Sequence, residues 1–218
     1  MAPRIISVCN LKGGVGKSTV AVNVACALAS RSRTVELIDA DEQGTAAHWA
    51  SQGELPVRVE HKPLEGRGAD AWVRSVLASE ADGVVIDAPP HVGDSTQAIV
   101  AISDVVLVPV SPSGADLLAT MRAVELVRQA RQVRGDGGPA CLLVPSRVDQ
   151  RTSASRELPA ALKALGEPVG PAVRLRTAHA DAFGVGQWVG DFAPGSDADA
   201  DIRALASKVW LLAREGGA

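Results

Sequence analysis

A glycine-rich segment near the beginning of the chain, residues 11–19 (LKGGVGKST), constrains the fold more than any other feature of the sequence. It follows a β-branched run at residues 4–9 and opens a helix-period run at residues 17–30. Glycines in such a turn let backbone N–H groups curl round phosphate oxygens, and the positive end of the following helix faces the same anion. The segment therefore predicts a phosphate-binding loop between a strand and a helix.

The rest of the chain alternates short apolar runs with helix-period runs, which is typical of a mostly parallel sheet wrapped by helices. Runs such as VVID and VVLVPV are apolar throughout, as expected for strands that are buried on both faces. We therefore predict an α/β fold in one domain over residues 1–218, with helices on both faces of a twisted sheet. Ligands of such sheets bind at the C-terminal ends of the strands, here just after Cys9, Ile38 and Ile86. Strands are predicted over residues 4–9, 34–39, 57–61, 83–87, 104–110 and 140–145, and helices over residues 17–30, 69–79, 95–102, 115–133, 153–165 and 200–214.

Composition and charge limit the function classes. The 218 residues carry 22 Lys and Arg against 25 Asp and Glu, and the net charge of −3 argues against a protein that coats DNA by bulk charge alone. Hydrophobic residues make up 46%, which excludes disorder as the main state. No apolar run reaches the ~18 residues that cross a bilayer, and no signal peptide precedes the first strand, so we expect a cytoplasmic protein. The cysteines, Cys9, Cys26 and Cys141, lie in apolar runs without a C-x-x-C pair, which predicts buried thiols.

Two lysines distinguish the phosphate loop. Lys17 is placed to reach the β- and γ-phosphates of a nucleotide, and the Ser18 hydroxyl is placed to bind Mg²⁺. Leu11 replaces the first glycine of the general pattern G-x-x-x-x-G-K-[ST], and the second lysine, Lys12, follows it. This K-G-G-x-G-K-[ST] form resembles the deviant Walker A loop of the ParA/MinD family of ATPases. The resemblance implies a P-loop NTPase fold, ATP and Mg²⁺ as cofactors, and a nucleotide held by Lys12, Gly13, Gly14, Val15, Gly16, Lys17, Ser18 and Thr19.

The extra lysine implies a dimer. In that family it reaches across a subunit interface to the other subunit's ATP, and Lys12 is by resemblance that residue. A cation supplied in trans neutralises developing phosphate charge only when two subunits face each other, so hydrolysis is coupled to dimerisation. We therefore expect an ATP-dependent homodimer in which Lys12 and Lys17 are catalytic.

Two further segments resemble boxes of the same family. Residues 37–45 (LIDADEQGT) resemble its D-x-D-P-Q run, with Glu42 in place of the usual proline, and residues 84–90 (VVIDAPP) resemble its Walker B strand and switch. The resemblance implies that Asp39 and Asp87 contact the metal through water and that Asp41 orients the attacking water. An Asp at a strand end is by itself often only a helix cap, and that alternative stays open for each of them.

The second half of the chain carries weaker signals. Residues 108–116 (VPVSPSGAD) resemble the family's P-x-x-P-S-x-x-D loop near the nucleotide and the dimer face. Residues 144–149 (VPSRVD) lie where relatives carry an adenine-contacting N-R-x-D loop, which implies contacts from Pro145, Ser146 and Arg147. Here Ser146 replaces the asparagine.

ParA-type members also bind DNA non-specifically as ATP-loaded dimers. The basic residues of the C-terminal third that we assign to DNA are Arg151, Arg174, Arg176 and Arg203; a solvated charged face is the alternative for each. A weak patch gains affinity when dimerisation doubles it on one duplex. The resemblance thus implies a nucleoid-associated partition ATPase, whose partner is an adaptor or centromere-binding protein on the cargo, most simply a plasmid.

Three other functions compete with partition. A MinD-like membrane switch needs a basic amphipathic tail, whereas the apolar stripe of the last helix (Ile202, Leu205, Val209, Leu212) favours packing on the core. A reductase with an iron–sulfur cluster needs cysteines near the switch, and residues 87–97 contain none. A small-molecule ligase of the same superfamily, such as a dethiobiotin synthetase-like enzyme, has no substrate-pocket signature here, and Lys12 favours the dimer.

Overall fold

The structure, a computed structural model, describes residues 2–29, 33–64, 68–91 and 93–215. Within these residues, seven strands form one sheet in the order β3-β2-β4-β1-β5-β6-β7, and every paired strand is parallel to its neighbour. The predicted α/β fold with a parallel sheet is confirmed. The strands are β1 Arg4–Val8, β2 Val35–Asp39, β3 Arg58–His61, β4 Gly83–Asp87, β5 Val105–Val110, β6 Ala140–Val148 and β7 Val173–Arg174.

Helices cover both faces of the sheet. The central strands are largely apolar because alternate side chains enter two cores: Ile6 and Val8 of β1 pack on one face, and Ile5 and the following Cys9 pack on the other. The helices are α1 Lys17–Leu28, α2 Thr45–Ser51, α3 Ala69–Leu77, α4 Asp94–Ile102, α5 Gly114–Arg134, α6 Ser153–Lys163, α7 Thr177–Gly184, α8 Val189–Phe192 and α9 Asp197–Glu215. Of these, α1, α2, α7, α8 and α9 contribute to the first core, and α3 to α6 contribute to the second.

The last helix packs on the sheet. Ile202, Leu205 and Val209 are fully buried in the first core, as the apolar stripe predicts. The helix begins at Asp197 rather than near residue 200, because Asp197 and Asp199 suit the positive end of its dipole. None of the helices in the described ranges is both long enough and apolar enough to cross a lipid bilayer. Cys9, Cys26 and Cys141 are buried free thiols, as predicted.

Register brings four strand ends side by side at one edge of the sheet. Val8 of β1 pairs with Asp87 of β4, Asp87 pairs with Asp39 of β2, and Asp39 pairs with His61 of β3. The loops after β1, β2 and β4 therefore meet, as the rule for parallel sheets predicts.

Candidate nucleotide site

The phosphate loop occupies the turn between β1 and α1. Gly14 and Gly16 have φ values of 78° and 93°, in the left-handed region that favours glycine. A Cβ at Gly16 would also lie 2.8 Å from the Ser146 hydroxyl, so a side chain at this position meets both strain and a close neighbour. Helix α1 begins at Lys17 with no acidic residue in its first turn, which leaves its positive end free for an anion.

A cavity of about 300 Å³ lies against this loop. Its lining combines loop glycines, hydroxyls of α1, residues that follow β2 and β4, and one residue of β6, a composition suited to phosphate oxygens and a hydrated cation. The lining residues are Gly13, Gly14, Gly16, Lys17, Ser18, Thr19, Asp41, Gln43, Thr45, Pro90 and Arg147. Val15, which the family resemblance also assigns to the nucleotide, is 1% exposed and is not among the residues that line this cavity.

Lys17 sits at the base of the cavity and is only 7% exposed. Its ammonium donates to the backbone carbonyl of Lys12 at 3.1 Å. Burial lowers the pKa of Lys17, and the negative charge of Asp87 opposes that change. In the described part of the chain, this buried ammonium has one neutral carbonyl as its acceptor. A phosphate that binds within its reach would therefore stabilise it further.

Asp87 is the best candidate for contact with the metal shell. It is 1% exposed, and neither of its carboxylate oxygens has a partner at normal hydrogen-bond geometry among the described residues. Burial raises its pKa to about 7, the nearby Ser18 hydroxyl opposes the rise, and the Asp39 carboxylate adds to it. A buried carboxylate with open oxygens near a hydroxyl fits Mg²⁺, which takes oxygen ligands and keeps several waters. When bound, Mg²⁺ neutralises phosphate charge, and Ser18 and Asp87 are the residues that would hold it.

Asp39 has a different environment. Its Oδ2 accepts from the Ala47 N–H at 2.9 Å, and its Oδ1 accepts from the Asp41 N–H at 3.2 Å. Burial raises its pKa, and these backbone N–H groups oppose the rise. The carboxylate therefore caps α2, a helix that the sequence patterns missed, and both interpretations of Asp39 stay open: helix cap and metal-shell residue.

Asp41 lines the phosphate cavity, at the start of a turn that leads to α2. Its Oδ1 accepts from the Gln43 N–H at 3.1 Å. Gln43 lines the same cavity, although the sequence motifs gave it no role. The placement allows a carboxylate to face a water near the phosphates, which is what the predicted role of Asp41 needs.

Lys12 points away from the cavity of its own chain. Its ammonium forms an ion pair with the carboxylate of Asp116 in the first turn of α5, and the Ser111 hydroxyl donates to the other oxygen of that carboxylate. Lys12 is not among the residues that line the phosphate cavity of the described chain. The loop at residues 108–116 thus lies against the phosphate loop, as its resemblance implied.

A second cavity, of about 340 Å³, continues from the phosphate cavity over β6 and β7. Ser146 and Arg147 line it, and their contact with the base stays a prediction, whereas Pro145 is buried within β6 and lines neither cavity. Strand β6 runs on to Val148 rather than ending at Pro145, with an irregular register at Arg147, whose φ is 54°. Arg147 donates to the Gly14 carbonyl at 2.8 Å and so joins the two cavities.

His179 of α7 is a cavity residue that no sequence motif marked. It is 9% exposed, and neither ring nitrogen has a hydrogen-bond partner among the described residues. Burial lowers its pKa, so its ring is favoured in the neutral form, with one donor and one acceptor. No spacing rule identifies this histidine, because α7 is only eight residues long. The other new lining residues are Thr45, Trp49, Val173, Leu175, Ala180 and Phe183.

The four arginines assigned to DNA are all ion-paired. Arg151, with an 89% exposed side chain, pairs with Asp149 at 2.7 Å. The other three pair with the acidic beginning of α9: Arg174 with Asp201 at 2.6 Å, Arg176 with Asp197 at 3.0 Å, and Arg203 with Asp199 at 2.7 Å. Arg174 and Arg176 also line the second cavity. The structure thus places all four beside carboxylates, and three of them beside those of α9, rather than on an open basic patch.

Fold and site together define a P-loop nucleotide-binding protein with a second lysine in its loop. Comparisons with known proteins agree: the profile of the CobQ/CobB/MinD/ParA nucleotide binding domain matches residues 6–187. The chain belongs to this family, and it is an ATPase. The predicted family and ATPase class are confirmed, and ATP with Mg²⁺ is the pair that the lining of the phosphate cavity would accommodate.

Two relatives cover most of the chain. Maintenance of carboxysome distribution protein A of Halothiobacillus neapolitanus is 33% identical over 180 residues, which are 81% of this chain and 82% of that protein. The chromosome-partitioning ATPase Soj of Thermus thermophilus is 31% identical over 252 aligned residues, covering 97% of each chain.

Two solved structures share the fold. MinD complexed with Mg-ADP from Pyrococcus horikoshii has a TM-score of 0.78 at 20% identity and covers 99% of each chain. The ATP complex of a variant of Cyanothece McdA has a TM-score of 0.74 at 18% identity, with 97% of this chain and 96% of that chain covered.

Proposed function

We propose that this ATPase is a positioning ATPase that works as an ATP-sandwich homodimer. The observation that carries the proposal is the position of Lys12, which does not line the phosphate cavity of its own chain and instead pairs with Asp116, with its side chain 39% exposed. A lysine so placed can serve a phosphate only in a second subunit that faces the first. Hydrolysis then depends on the dimer, and the dimer on ATP.

The test is the mass of the protein with and without Mg²⁺ and a non-hydrolysed ATP analogue, measured by multi-angle light scattering. The expected result is one copy without nucleotide and two copies with it, and Lys12→Ala should remain a single copy in both. A wild-type chain that stays a single copy with bound nucleotide would overturn the proposal.

We further propose that the dimer binds DNA non-specifically and so associates with the nucleoid. Arg151 is the first residue to test, because its exposed guanidinium pairs with only one carboxylate among the described residues, that of the neighbouring Asp149. Arg174, Arg176 and Arg203 must leave the carboxylates of α9 before they contact phosphates. Doubling each patch in the dimer raises the affinity for one duplex.

A salt titration of DNA affinity, run with and without the non-hydrolysed analogue, tests this part. We expect tighter and more salt-dependent binding in the nucleotide-loaded state, and a smaller salt slope for Arg151→Ala. Arg58→Ala is the matched control, because Arg58 is also an exposed arginine paired with an acid, Glu36, at the start of β3. Equal DNA binding in both nucleotide states would overturn the proposal that the ATP-loaded dimer binds DNA. ATP-dependent sedimentation with liposomes would instead favour a membrane as the binding surface.

For the cargo, we propose a large cellular body or replicon that carries an adaptor protein which stimulates hydrolysis. Relatives named for carboxysome distribution and for chromosome partitioning support this class. Plasmid partition stays our prediction from sequence, and a carboxysome-type body is its rival. Plasmid retention and the spacing of fluorescent cargo, compared between the wild-type gene and Lys12→Ala in the native host, separate the two.

A further inference from the structure

The turn that carries Asp41 is held from outside by a histidine on the neighbouring edge strand. His61 ends β3 and is in register with Asp39 at the end of β2. Its Nε2 donates to the backbone carbonyl of Asp41 at 3.0 Å, and the same carbonyl accepts from the Gly44 N–H at 3.0 Å. The carbonyl is thereby fixed by one bond within the turn and one bond from the sheet.

The ring also lies against the far end of the turn. A Cβ at Gly44 would come within 3.2 Å of His61 Nε2, and Gly44 has a φ of +63°. The absence of a side chain at Gly44 thus lets the imidazole reach across the turn to Asp41. The turn between them is exposed at Glu42 and Gln43 and contains no proline that would fix its backbone.

This contact bears on hydrolysis because Asp41 and Gln43 line the phosphate cavity. A carboxylate can orient a water only while its own backbone is held still, and misplacement of about 1 Å is costly for a reaction in which positioning carries much of the catalysis. Within the described residues, the other hydrogen bonds of this turn are made with β2, with the turn itself and with α2. His61 supplies the hydrogen bond that reaches the turn from a neighbouring strand.

We propose that His61 is a positioning residue for ATP hydrolysis, which acts by holding the Asp41 carbonyl and with it the orientation of the Asp41 carboxylate. The inference rests on the proposed role of Asp41. It assigns to the edge strand a part in the chemistry while His61 itself touches neither nucleotide nor metal.

The experiment compares His61→Leu with His61→Gln in single-turnover hydrolysis of the preformed ATP dimer, with dimer content checked by light scattering. Glutamine can place an N–H near the position of Nε2, whereas leucine fills the space without a donor. We expect the single-turnover rate constant to fall about three- to tenfold in His61→Leu, the range of one net hydrogen bond, while the KM for ATP in a steady-state assay stays within about twofold of the wild type. His61→Gln should recover most of the rate.

Matched variants make the result decisive. His48→Gln changes an exposed histidine of α2 that packs on Phe183, and it should hydrolyse ATP at the wild-type rate. If Asp41→Ala is slow and adding His61→Leu slows it no further, the two residues act together as proposed. If Asp41→Ala is slow while His61→Leu matches the wild type, or if Leu and Gln lose kcat equally, the inference about His61 is overturned. A wild-type rate in Asp41→Ala would overturn the proposed role of Asp41 instead.

Discussion

Lys12 and Asp116 form an ion pair at the rim of the nucleotide site, with the lysine side chain 39% exposed and the carboxylate 2% exposed. Burial alone would raise the pKa of Asp116, but hydrogen bonds from Lys12 and Ser111 outweigh it and lower the pKa. The ionised carboxylate therefore holds the ammonium in the single chain. In the proposed ATP dimer, Lys12 has to exchange this partner for a phosphate of the second subunit's nucleotide.

Replacing this lysine should separate nucleotide binding from dimerisation. Lys12→Ala keeps Lys17 and the loop glycines, so ATP should still bind, with an affinity within about threefold of the wild type, while hydrolysis and the ATP-driven dimer are lost. Nucleotide titration and light scattering measure the two. Lys163→Ala, which removes a lysine in the last turn of α6, is the control that should change neither. Normal turnover in Lys12→Ala would contradict the trans role.

Removing the carboxylate of Asp41 should trap the loaded state. Asp41→Ala removes the group proposed to orient the attacking water but none of the loop that holds the phosphates, so kcat should fall at least about 100-fold, within the usual range for such a group. The protein should then remain an ATP dimer on DNA. Glu42→Ala, one residue further along the exposed turn, is the matched control. Hydrolysis and mass are measured after ATP addition, and rapid return to single copies would count against the assignment.

Asp87 should link stability to pH in the nucleotide-free protein. Its pKa is raised to about 7 by burial, so the folded state binds a proton more tightly than the unfolded chain. The contribution of Asp87 to the free energy of unfolding is therefore fully present below pH ~4, falls as the pH rises towards 7, and no longer changes above that. Asp87→Asn should remove this loss and raise the melting temperature at pH 8 by about 5 °C.

The same Asp87→Asn protein should lose Mg²⁺-dependent hydrolysis, because an amide cannot supply the negative charge that a hydrated cation requires. Asp70→Asn, at an exposed acid in the first turn of α3, should leave both the melting temperature and the rate unchanged. If the melting temperature of the wild type does not fall as the pH rises, or falls equally in Asp87→Asn, the predicted link between Asp87 and stability is wrong.

His179 should report on the nucleobase. An imidazole in the second cavity with no partner among the described residues can exchange one hydrogen bond with a base edge, and its loss should weaken ATP binding about three- to tenfold. Inhibition by inorganic triphosphate, which has no base, should be the same in His179→Ala and the wild type. His179→Gln keeps a polar group in case the alanine variant is poorly folded.

Base analogues decide which atom is read. If His179 contacts the base, one of two analogues, 7-deaza-ATP or purine riboside triphosphate, should bind the wild type more weakly than ATP does. The same analogue should bind His179→Ala as tightly as ATP does. Purely additive losses for both analogues would exclude a direct contact.

Part of this site could be predicted from sequence because it is local. The glycines, Lys17 and Ser18 lie within one turn. Asp39 and Asp87 end two predicted parallel strands, so sheet geometry alone brings them together. The pair of Lys12 and Asp116 spans 104 residues, and no periodicity reports a contact between two loops.

The short helices were missed for a related reason. Helices α2 and α8 have seven and four residues, too few to display a helical period. Their consequences for the site were missed with them: Asp39 caps α2, and His179 projects from the similarly short α7. The pairing of Arg203 with Asp199 has the spacing of one helical turn, and a helix predicted from residue 197 would have indicated it.

The acidic first turns of α9 act on Arg174, Arg176 and Arg203 as an internal competitor. A polyanion that binds these guanidinium groups must displace the carboxylates of α9. The net free energy of binding is therefore the difference between two similar electrostatic attractions. Binding of this kind is weak and quickly reversible. In the proposed DNA-bound positioning ATPase, such weak binding would let the protein dissociate from one DNA segment and bind another.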